Sequence, residues 1–307
     1  MSEPAILIIK LGALGNVILS LNIFAAIRAH HPDARISLLT TSAYAGWLRQ
    51  APWFDDILID TRPEWWNVPA VLRLRRVLVR PGFTRVYDLQ TSSRSSSYFR
   101  LFPRAARPEW SGIASGCSHP DRDPNRNQLH DNDRQIGQLR QASINDIPPV
   151  DLSWCKGDIG RFSLPRDFVV LVPGSAPHRG AKRWPAARYQ ALAEALRAQG
   201  LTPVVVGSAL EASIARAIPA AVDLTGQTEA GDLADLGRAA RFAIGNDTGP
   251  MHLLAAAGCR SVVLFSRASD PALCAPRGND VTVLRRPDLA SLEVETVLAA
   301  LPHLVSA

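Results

Sequence analysis

The segment 245–252, Gly-Asn-Asp-Thr-Gly-Pro-Met-His, places a carboxylate, a hydroxyl and two glycines between two apolar runs. Residues 241–244 predict a short buried strand before it, and residues 253–257 predict a helix that ends at Gly258. Ligands bind where parallel strands end, and free N–H groups at a helix start favour a phosphate. The same residues are also typical of an ordinary helix cap followed by proline. The segment alone leaves open whether it only caps the helix or also binds a ligand.

A glycine-containing turn follows the first apolar run of the chain, over residues 10–17. Gly12 and Gly15 allow a tight turn and a close approach of the backbone to a ligand. Their spacing matches neither the dinucleotide fingerprint nor a P-loop, which argues against a dehydrogenase. From the residues alone, we expect Asn16 to cap the following helix rather than to contact a ligand.

Two further clusters and one carboxylate also follow predicted strands. Residues 88–94, Asp-Leu-Gln-Thr-Ser-Ser-Arg, are crowded with hydrogen-bonding groups, although Asp and Ser also cap simple turns. Residues 173–175, Pro-Gly-Ser, form a turn whose amides suit an anion, and Lys182 comes shortly before a predicted helix. Glu211 lies just beyond the strand predicted at 202–206, where a carboxylate can accept hydrogen bonds from a ribose. A solvated lysine and an exposed helical glutamate are the alternatives for the last two.

Continuous apolar strands alternate with helices twice along the chain, which predicts an α/β fold with parallel sheets. The first half has predicted strands at 5–9, 35–40, 56–59 and 85–88 and predicted helices at 17–29 and 72–79. The second half has predicted strands at 168–172, 202–206, 241–244, 261–265 and 281–284 and predicted helices at 186–199, 210–217 and 292–301. Residues 103–165 are loop-rich with one helix at 131–142, and form either a solvated connection or an active-site loop. We expect two Rossmann-like domains, 1–160 and 161–307, on either side of a cleft, and the final helix is a candidate for packing back on the first.

The composition is that of a globular protein with anionic partners. Of 307 residues, 47% are hydrophobic and 20% charged, and the net charge of +6 suits a sugar nucleotide, an acidic lipid headgroup or nucleic acid. No nucleic acid partner is expected, because the chain lacks the arginine and aromatic platform typical of single-strand binding. The four cysteines form no Cys-x-x-Cys pair, which argues against zinc or disulfides and favours a reducing compartment. A cytoplasmic location is expected, since neither a signal peptide nor a spanning segment is evident.

Taken together, these clusters resemble glycosyltransferase family 9, the ADP-heptose:lipopolysaccharide heptosyltransferases. The most specific elements are residues 173–175 followed by Lys-Arg-Trp-Pro at 182–185, and the segment 245–252. The residues from Phe265 through Pro271 to the Pro-Arg-Gly at 276–278 also resemble the family. The match covers most of the chain and is weakest in the loop-rich middle.

The resemblance implies a GT-B fold, in which two Rossmann-like domains with parallel sheets face each other across a central cleft. It implies an inverting glycosyltransferase that moves a heptose or similar sugar from an ADP-sugar to a lipid-linked glycan of the lipopolysaccharide core or a related envelope glycan. Such an enzyme needs neither a cofactor nor a metal, and it works in the cytoplasm, peripherally at the inner face of the cytoplasmic membrane.

By motif position, the resemblance assigns residues to the two substrates. The carboxy-terminal domain would bind the nucleotide sugar through Gly174, Ser175, Lys182, Glu211, Asp247, Thr248, Gly249 and His252. The amino-terminal domain would bind the acceptor through Gly12, Gly15, Asn16, Asp88, Gln90 and Arg94. Lys182 and the amides at residues 248 and 249 are suited to stabilise the charge that builds on the leaving diphosphate.

At Asn16 the chain departs from the pattern, because the family commonly carries an aspartate there as its proposed general base. A carboxamide cannot accept the proton of the acceptor hydroxyl at neutral pH. Three explanations stay open: another group, with Asp88 as the first candidate, serves as the base; the chain is a catalytically impaired member that binds a sugar nucleotide or glycolipid; or the aspartate was replaced deliberately.

Overall fold

The computed structural model describes residues 4–176 and 178–301, and the chain divides into two compact units between Trp154 and Cys155. Each unit contains one six-stranded sheet. Among the described residues, no helix is both long and apolar enough to cross a bilayer.

The first sheet consists of β1 (Ala5–Ile9), β2 (Arg35–Thr40), β3 (Asp56–Ile59), β4 (Arg85–Asp88), β5 (Glu109–Gly112) and β6 (His119–Pro120). All neighbouring strands are parallel, in the order β3-β2-β1-β4-β5-β6, which is the order of a Rossmann fold. Ile9 pairs with Leu39 on one side and with Asp88 on the other, so the residues that follow β1, β2 and β4 share one edge. In such sheets ligands bind at this edge where the strand order reverses, which is between β1 and β4.

The helices of the first unit are α1 (Leu14–Ile18), α2 (Leu21–His30), α3 (Ser42–Leu48), α4 (Val68–Val79), α5 (Ser93–Ser97) and α6 (Asp131–Gln141). The single helix expected at 17–29 is therefore two helices, and the first begins earlier than expected. Ala13 is the N-cap residue of α1, and Asn16 lies inside that helix. The expectation that Asn16 caps the helix is wrong, because the turn of helix begins before Asn16 rather than after it.

The stretch 103–165 is more ordered than expected. It supplies β5 and β6, which extend the first sheet beyond β4, and the predicted helix at 131–142 is confirmed as α6. The expectation of loops is wrong at β5 and β6 because both strands are short, and short strands at or next to a sheet edge need few apolar residues. Trp110 alone supplies a large buried side chain to β5.

The second sheet consists of β7 (Phe168–Val172), β8 (Thr202–Val205), β9 (Val222–Asp223), β10 (Phe242–Asn246), β11 (Ser261–Phe265) and β12 (Val281–Arg285). Its parallel order, β12-β11-β10-β7-β8-β9, is again the Rossmann order when counted from β7, and it reverses between β7 and β10. The helices of this unit are α7 (Ala186–Ala198), α8 (Ala212–Arg216), α9 (Ala230–Ala239), α10 (Gly249–Ala256), α11 (Pro271–Cys274) and α12 (Val294–Ala299).

Every residue of β7, β10 and β11 is buried, as a central parallel strand requires. Trp184 and Tyr189 pack edge to face at the start of α7, and α12 packs against α7 with Val294 and Val297 in the same core. The expected class, two Rossmann-like α/β units with parallel sheets, is confirmed.

Candidate functional site

In the second unit, the motif residues meet where β7 and β10 end side by side. Val172 pairs with Gly245, and a Cβ atom on Gly245 would lie 2.5 Å from the Cβ of Val172 and 2.8 Å from the sulfur of Met251. Only glycine allows this approach. The turn at 173–175 and the segment 245–252 therefore lie together at the point where a Rossmann sheet binds ligands.

Asn246 joins the two motifs through its buried carboxamide. Its Oδ1 accepts hydrogen bonds from the backbone N–H of Trp184 at 3.0 Å and from the hydroxyl of Tyr189 at 3.1 Å. Its Nδ2 donates to the carbonyl oxygens of Pro173 at 2.8 Å and Gly174 at 3.2 Å. All four contacts are fully buried, so Asn246 holds the Lys-Arg-Trp-Pro loop against the end of β7.

Lys182 and Asp247 form an ion pair at this edge. Lys182 lies in a short 3₁₀ turn, and its Nζ is 2.5 Å from Oδ2 of Asp247, which also accepts from the Ser269 hydroxyl at 2.7 Å. Nε2 of His252 lies 3.8 Å from Oδ1 of the same carboxylate. Burial alone would raise the pKa of Asp247, but these three neighbours together lower it to about 2. The carboxylate is therefore charged at neutral pH and holds the Lys182 ammonium in place.

The start of α10 follows directly after Asp247. Thr248 occupies the N-cap position, yet its hydroxyl makes no capping bond and donates instead to the carbonyl oxygen of Asn246 at 3.2 Å. The N–H groups of the first turn therefore receive no side-chain acceptor from the residue that would ordinarily cap them. An interpretation in which Thr248 merely caps the helix with its side chain is wrong. Gly249 begins the helix and Pro250 follows, so close backbone approach is possible there.

Glu211 lies against Gly174 and Gly207, which follow the ends of β7 and β8. A Cβ on Gly174 would come within 1.9 Å of its Oε1, and a Cβ on Gly207 within 2.8 Å of its Oε2. Oε2 accepts hydrogen bonds from the N–H of Ser208 at 2.7 Å and from its hydroxyl at 3.0 Å. Its other oxygen, Oε1, forms no hydrogen bond among the described residues and lies close to Gly174.

Ser175 is buried, and its side chain is engaged by the neighbouring motif. Its hydroxyl accepts a hydrogen bond from Nε of Arg183 at 2.9 Å, and its carbonyl oxygen accepts a second from the same guanidinium at 3.0 Å. The side chain thus ties the two parts of the motif together. Nothing in the described part of the chain groups three or more His, Cys, Asp or Glu side chains as a metal site.

In the first unit, the reversal of strand order lies between β1, which Lys10 directly follows, and β4, which ends at Asp88. Lys10 is 2% exposed; its Nζ donates to the carbonyl oxygen of Leu89 at 3.2 Å and lies 3.5 Å from Asp131. Burial lowers the pKa of Lys10, and Asp131 partly offsets this. Burial also raises the pKa of Asp88 to about 6, although hydrogen bonds to its carboxylate, among them one from the N–H of Thr91 at 3.0 Å, oppose the shift.

Asn16 lies on α1, half-buried, where its carbonyl oxygen accepts a hydrogen bond from Ser20 at 2.7 Å. Its carboxamide has no hydrogen-bond partner within the described ranges. The glycine turn before it is fixed by Gln90, whose Oε1 accepts from the N–H of Leu11 at 2.9 Å. Gly12 has φ +117°, and a Cβ there would lie 2.7 Å from the ring of Tyr44.

An open pocket of about 880 Å³ lies beside this turn, at the ends of β1 to β4. Its lining comes from residues that end or follow these strands: 11–13, 41, 42, 44, 59–62 and 90. Of the predicted acceptor residues, Gly12 and Gln90 line the pocket, whereas Gly15, Asn16, Asp88 and Arg94 do not. Arg94 donates instead to the carbonyl oxygen of Pro63 at 3.1 Å.

Several residues of both sites were not predicted from the sequence. Ser269 binds Asp247 from the loop after β11, and Tyr98 donates to Asp60 of the pocket at 2.6 Å. Asp131 contacts Lys10 from α6, a helix whose polar face is buried. The one available signal was the spacing of Asp131, Gln135 and Gln138, which repeats at helical intervals on that face.

The chain matches the sequence profile of glycosyltransferase family 9 (heptosyltransferase) over residues 71–299. Lipooligosaccharide heptosyltransferase 2 of Haemophilus ducreyi is 23% identical over 311 residues, covering 91% of this chain and 88% of that protein. The protein of the same name from Haemophilus influenzae is 31% identical over 129 residues, which are 39% of this chain and 37% of that protein. The solved structure of E. coli ADP-heptose LPS heptosyltransferase II superposes with a TM-score of 0.75 at 20% identity, covering 97% of each chain. This likeness shows the fold, which is the expected GT-B class.

Proposed function

Because the chain belongs to glycosyltransferase family 9, we propose that it transfers a heptose or a similar sugar from an ADP-sugar to a glycan of the lipopolysaccharide core or a related envelope glycan. The observation that carries the proposal is the Lys182–Asp247 pair beside the uncapped start of α10. The name of the similar E. coli enzyme, an ADP-heptose LPS heptosyltransferase, supports the choice of donor and acceptor.

The donor would bind to the second unit. Lys182 and the first-turn amides of α10 supply positive charge for a diphosphate, and the charge-assisted contacts strengthen as the leaving group becomes more negative. Asp247 holds the Lys182 ammonium, and Glu211 has a carboxylate oxygen at the end of β7 that suits a ribose hydroxyl.

In the reaction, the acceptor hydroxyl oxygen attacks the anomeric carbon as the bond from that carbon to the diphosphate oxygen breaks. ADP leaves with the bonding electron pair, the configuration inverts, and the hydroxyl proton passes to a base. The acceptor would bind in the first unit, in the pocket beside Gly12 and Gln90. Since that acceptor carries a lipid, we place the protein at the inner face of the cytoplasmic membrane, bound peripherally.

The residue that accepts this proton must differ from the one at the family's usual position, because the carboxamide of Asn16 cannot take a proton. Asp88 has a pKa of about 6, which is suitable for a base, but it is fully buried beneath the turn. The second candidate function, a family member that binds its ligands without efficient transfer, is favoured by Asn16 itself.

The deciding experiment compares Asn16→Asp with the unaltered chain in a sugar-transfer assay. A positioned base contributes on the order of 10²–10⁴-fold, so Asn16→Asp should raise transfer strongly while leaving the affinity for ADP nearly unchanged. Asn127→Asp, which makes the same change at an exposed residue, is the matched control.

If the unaltered chain already transfers efficiently and Asn16→Asp adds nothing, the base lies elsewhere. If neither chain transfers sugar but both bind ADP, the binding role is the better assignment. A thermal-shift panel with ADP-, UDP- and GDP-sugars tests the nucleotide separately, and stabilisation by UDP- or GDP-sugars alone would contradict the choice of ADP.

A further inference from the structure

An apolar and basic surface covers the outer side of the first unit at the start of α4. Eight large hydrophobic side chains are exposed in the described residues, and four of them fall within 65–72. Trp66 is 80% exposed, Val68 57%, Leu72 47% and Trp65 43%. With Arg73, Arg76 and Arg80, these four residues form what we call the Trp-Arg surface. Scattered exposed hydrophobic residues are ordinary, but a contiguous cluster marks an interaction site.

The geometry of α4 separates this surface from the core. Leu74 and Leu78 are buried on the inner face of the helix. On the outer face, Val68, Leu72, Arg76 and Arg80 follow one another at intervals of four residues, so they form a single stripe. The stripe is apolar at the beginning of the helix and basic at its end.

The beginning of the helix is capped and carries a proline. The side chain of Asn67 caps it by accepting from the N–H of Ala70 at 3.3 Å, and Pro69 lies in its first turn. The exposed position of Trp66 is therefore set by a structured turn.

The three arginines of the surface form no ion pair and no side-chain hydrogen bond with any residue that the structure describes. Arg28, Arg35 and Arg85 of the same unit each pair with a carboxylate. Across residues 4–176 and 178–301, by contrast, Arg73, Arg76 and Arg80 enter no ion pair. Glu64 is the only acidic residue between 61 and 82. The positive charge is thus available to an anionic partner.

We propose that the Trp-Arg surface binds a bilayer containing anionic lipids. Tryptophan rings partition to the boundary between headgroups and acyl chains, and arginines beside them attract anionic headgroups. With 12 residues, α4 is too short to span a bilayer and is suited to lie on it. A second copy of the chain is a poor occupant, because a two-fold contact would bring the unpaired arginines of both copies together.

The surface is connected to the pocket of the same unit. The ring of Trp65 packs edge to face on Tyr98 with centroids 6.2 Å apart. The guanidinium carbon of Arg94 lies 5.3 Å from the centroid of the same Trp65 ring. Tyr98 in turn donates to Asp60, which lines the pocket. A bilayer on the Trp-Arg surface would hold the pocket close to the headgroups, where the sugar of a lipid-linked acceptor is found. This last consequence rests on the proposed function, whereas lipid binding does not.

The test is co-sedimentation of the full chain with vesicles of phosphatidylcholine and phosphatidylglycerol, compared with pure phosphatidylcholine, and without any donor. The unaltered chain should bind the anionic vesicles and lose binding at high salt. Each arginine near an anionic surface contributes roughly fivefold to partitioning, so the triple variant R73Q/R76Q/R80Q should bind roughly 100-fold more weakly. Trp66→Ser with Leu72→Gln should weaken binding by about tenfold as well, since the exposed apolar area is lost.

Matched controls place the same changes elsewhere. R49Q/R166Q/R216Q removes three exposed arginines outside the surface, and Leu210→Gln removes a side chain that is also 80% exposed. Both controls should bind vesicles like the unaltered chain.

Equal binding to both vesicle types, an equal loss in the controls, or no loss in R73Q/R76Q/R80Q would overturn the proposal. So would a dimer that forms without vesicle binding and dissociates in the Trp66→Ser, Leu72→Gln variant. Vesicle binding with no sugar transfer would leave this inference standing and count against the proposed function alone.

Discussion

Replacing Lys182 with alanine should weaken the binding of an ADP-sugar far more than replacing Lys156. The Nζ of Lys182 is 2.5 Å from Asp247, beside the start of α10, whereas Lys156 is exposed on the surface of the second unit. A charge-assisted hydrogen bond contributes roughly 1.5–3 kcal/mol, so the loss of one contact to the diphosphate predicts a rise in Kd of roughly 10- to 150-fold. Isothermal titration with ADP and with the ADP-sugar measures this directly.

A second consequence separates the role of the cation from that of its partner. Without Lys182, the Asp247 carboxylate, whose side chain is 5% exposed, keeps its charge next to the diphosphate but loses its cation. Its pKa should rise, and it should repel the ligand. The double variant K182A/D247N removes that charge and should therefore bind ADP more tightly than K182A alone, and it should also have a higher Tm.

Two results would refute this reasoning. Equal effects of K182A and K156A on the Kd of ADP would show that Lys182 does not contact the donor. If K182A/D247N binds ADP as weakly as K182A, or more weakly, then Asp247 contributes to the ligand independently of the ion pair.

Two further predictions concern buried groups. Because burial raises the pKa of Asp88 from 3.8 to about 6, the contribution of Asp88 to the free energy of unfolding should fall by about 3 kcal/mol as pH rises from 4 to 6. Asp88→Asn should abolish this slope in pH-dependent denaturation, and it should abolish transfer only if Asp88 is the base; an unchanged slope would mean that the carboxyl titrates normally. Gly174→Ala should weaken ADP binding by about tenfold, since the added Cβ would lie 1.9 Å from Oε1 of Glu211 and displace a charged hydrogen-bond acceptor. Gly180→Ala, whose Cβ would meet nothing within 4 Å, is its control, and equal Kd values for the two variants would contradict the role of Glu211.

The central strands were predictable because a strand buried on both faces needs an uninterrupted apolar run. β1, β2, β7 and β11 begin and end at the predicted residues for this reason. β6 and β9 carry two residues each at the sheet edges, so no apolar run marks them. The break between α1 and α2 also leaves no signal, because apolar residues continue across it and the buried Ser20 is a single polar residue.

The site residues were predictable only where a reactive side chain belongs to a recognisable sequence motif. Lys182 and Asp247 belong to recognisable motifs, and the structure brings them together. Ser269 is an isolated serine 22 residues beyond Asp247, and no spacing rule relates the two. α6 reverses the usual rule, because it buries polar side chains that bond to backbone carbonyl groups: Gln138 donates to the carbonyl oxygen of Asp88 at 3.1 Å. Periodicity identifies such a helix but assigns the wrong face to solvent.

The hydrogen bonds of Asn246 have a consequence for how the protein is made. Trp184 is synthesised 62 residues before Asn246, whose side chain fixes the backbone N–H of Trp184. The contact can form only after β10 has inserted beside β7. At roughly 5–20 residues per second, the delay is roughly 3–12 s. During that interval the edge of β7 is unpaired on the side where β10 will lie, and the Lys-Arg-Trp-Pro loop has nothing to dock against. A nascent chain released before residue 246 would thus expose Trp184 and an open strand edge together, which are features that chaperones recognise and that promote aggregation.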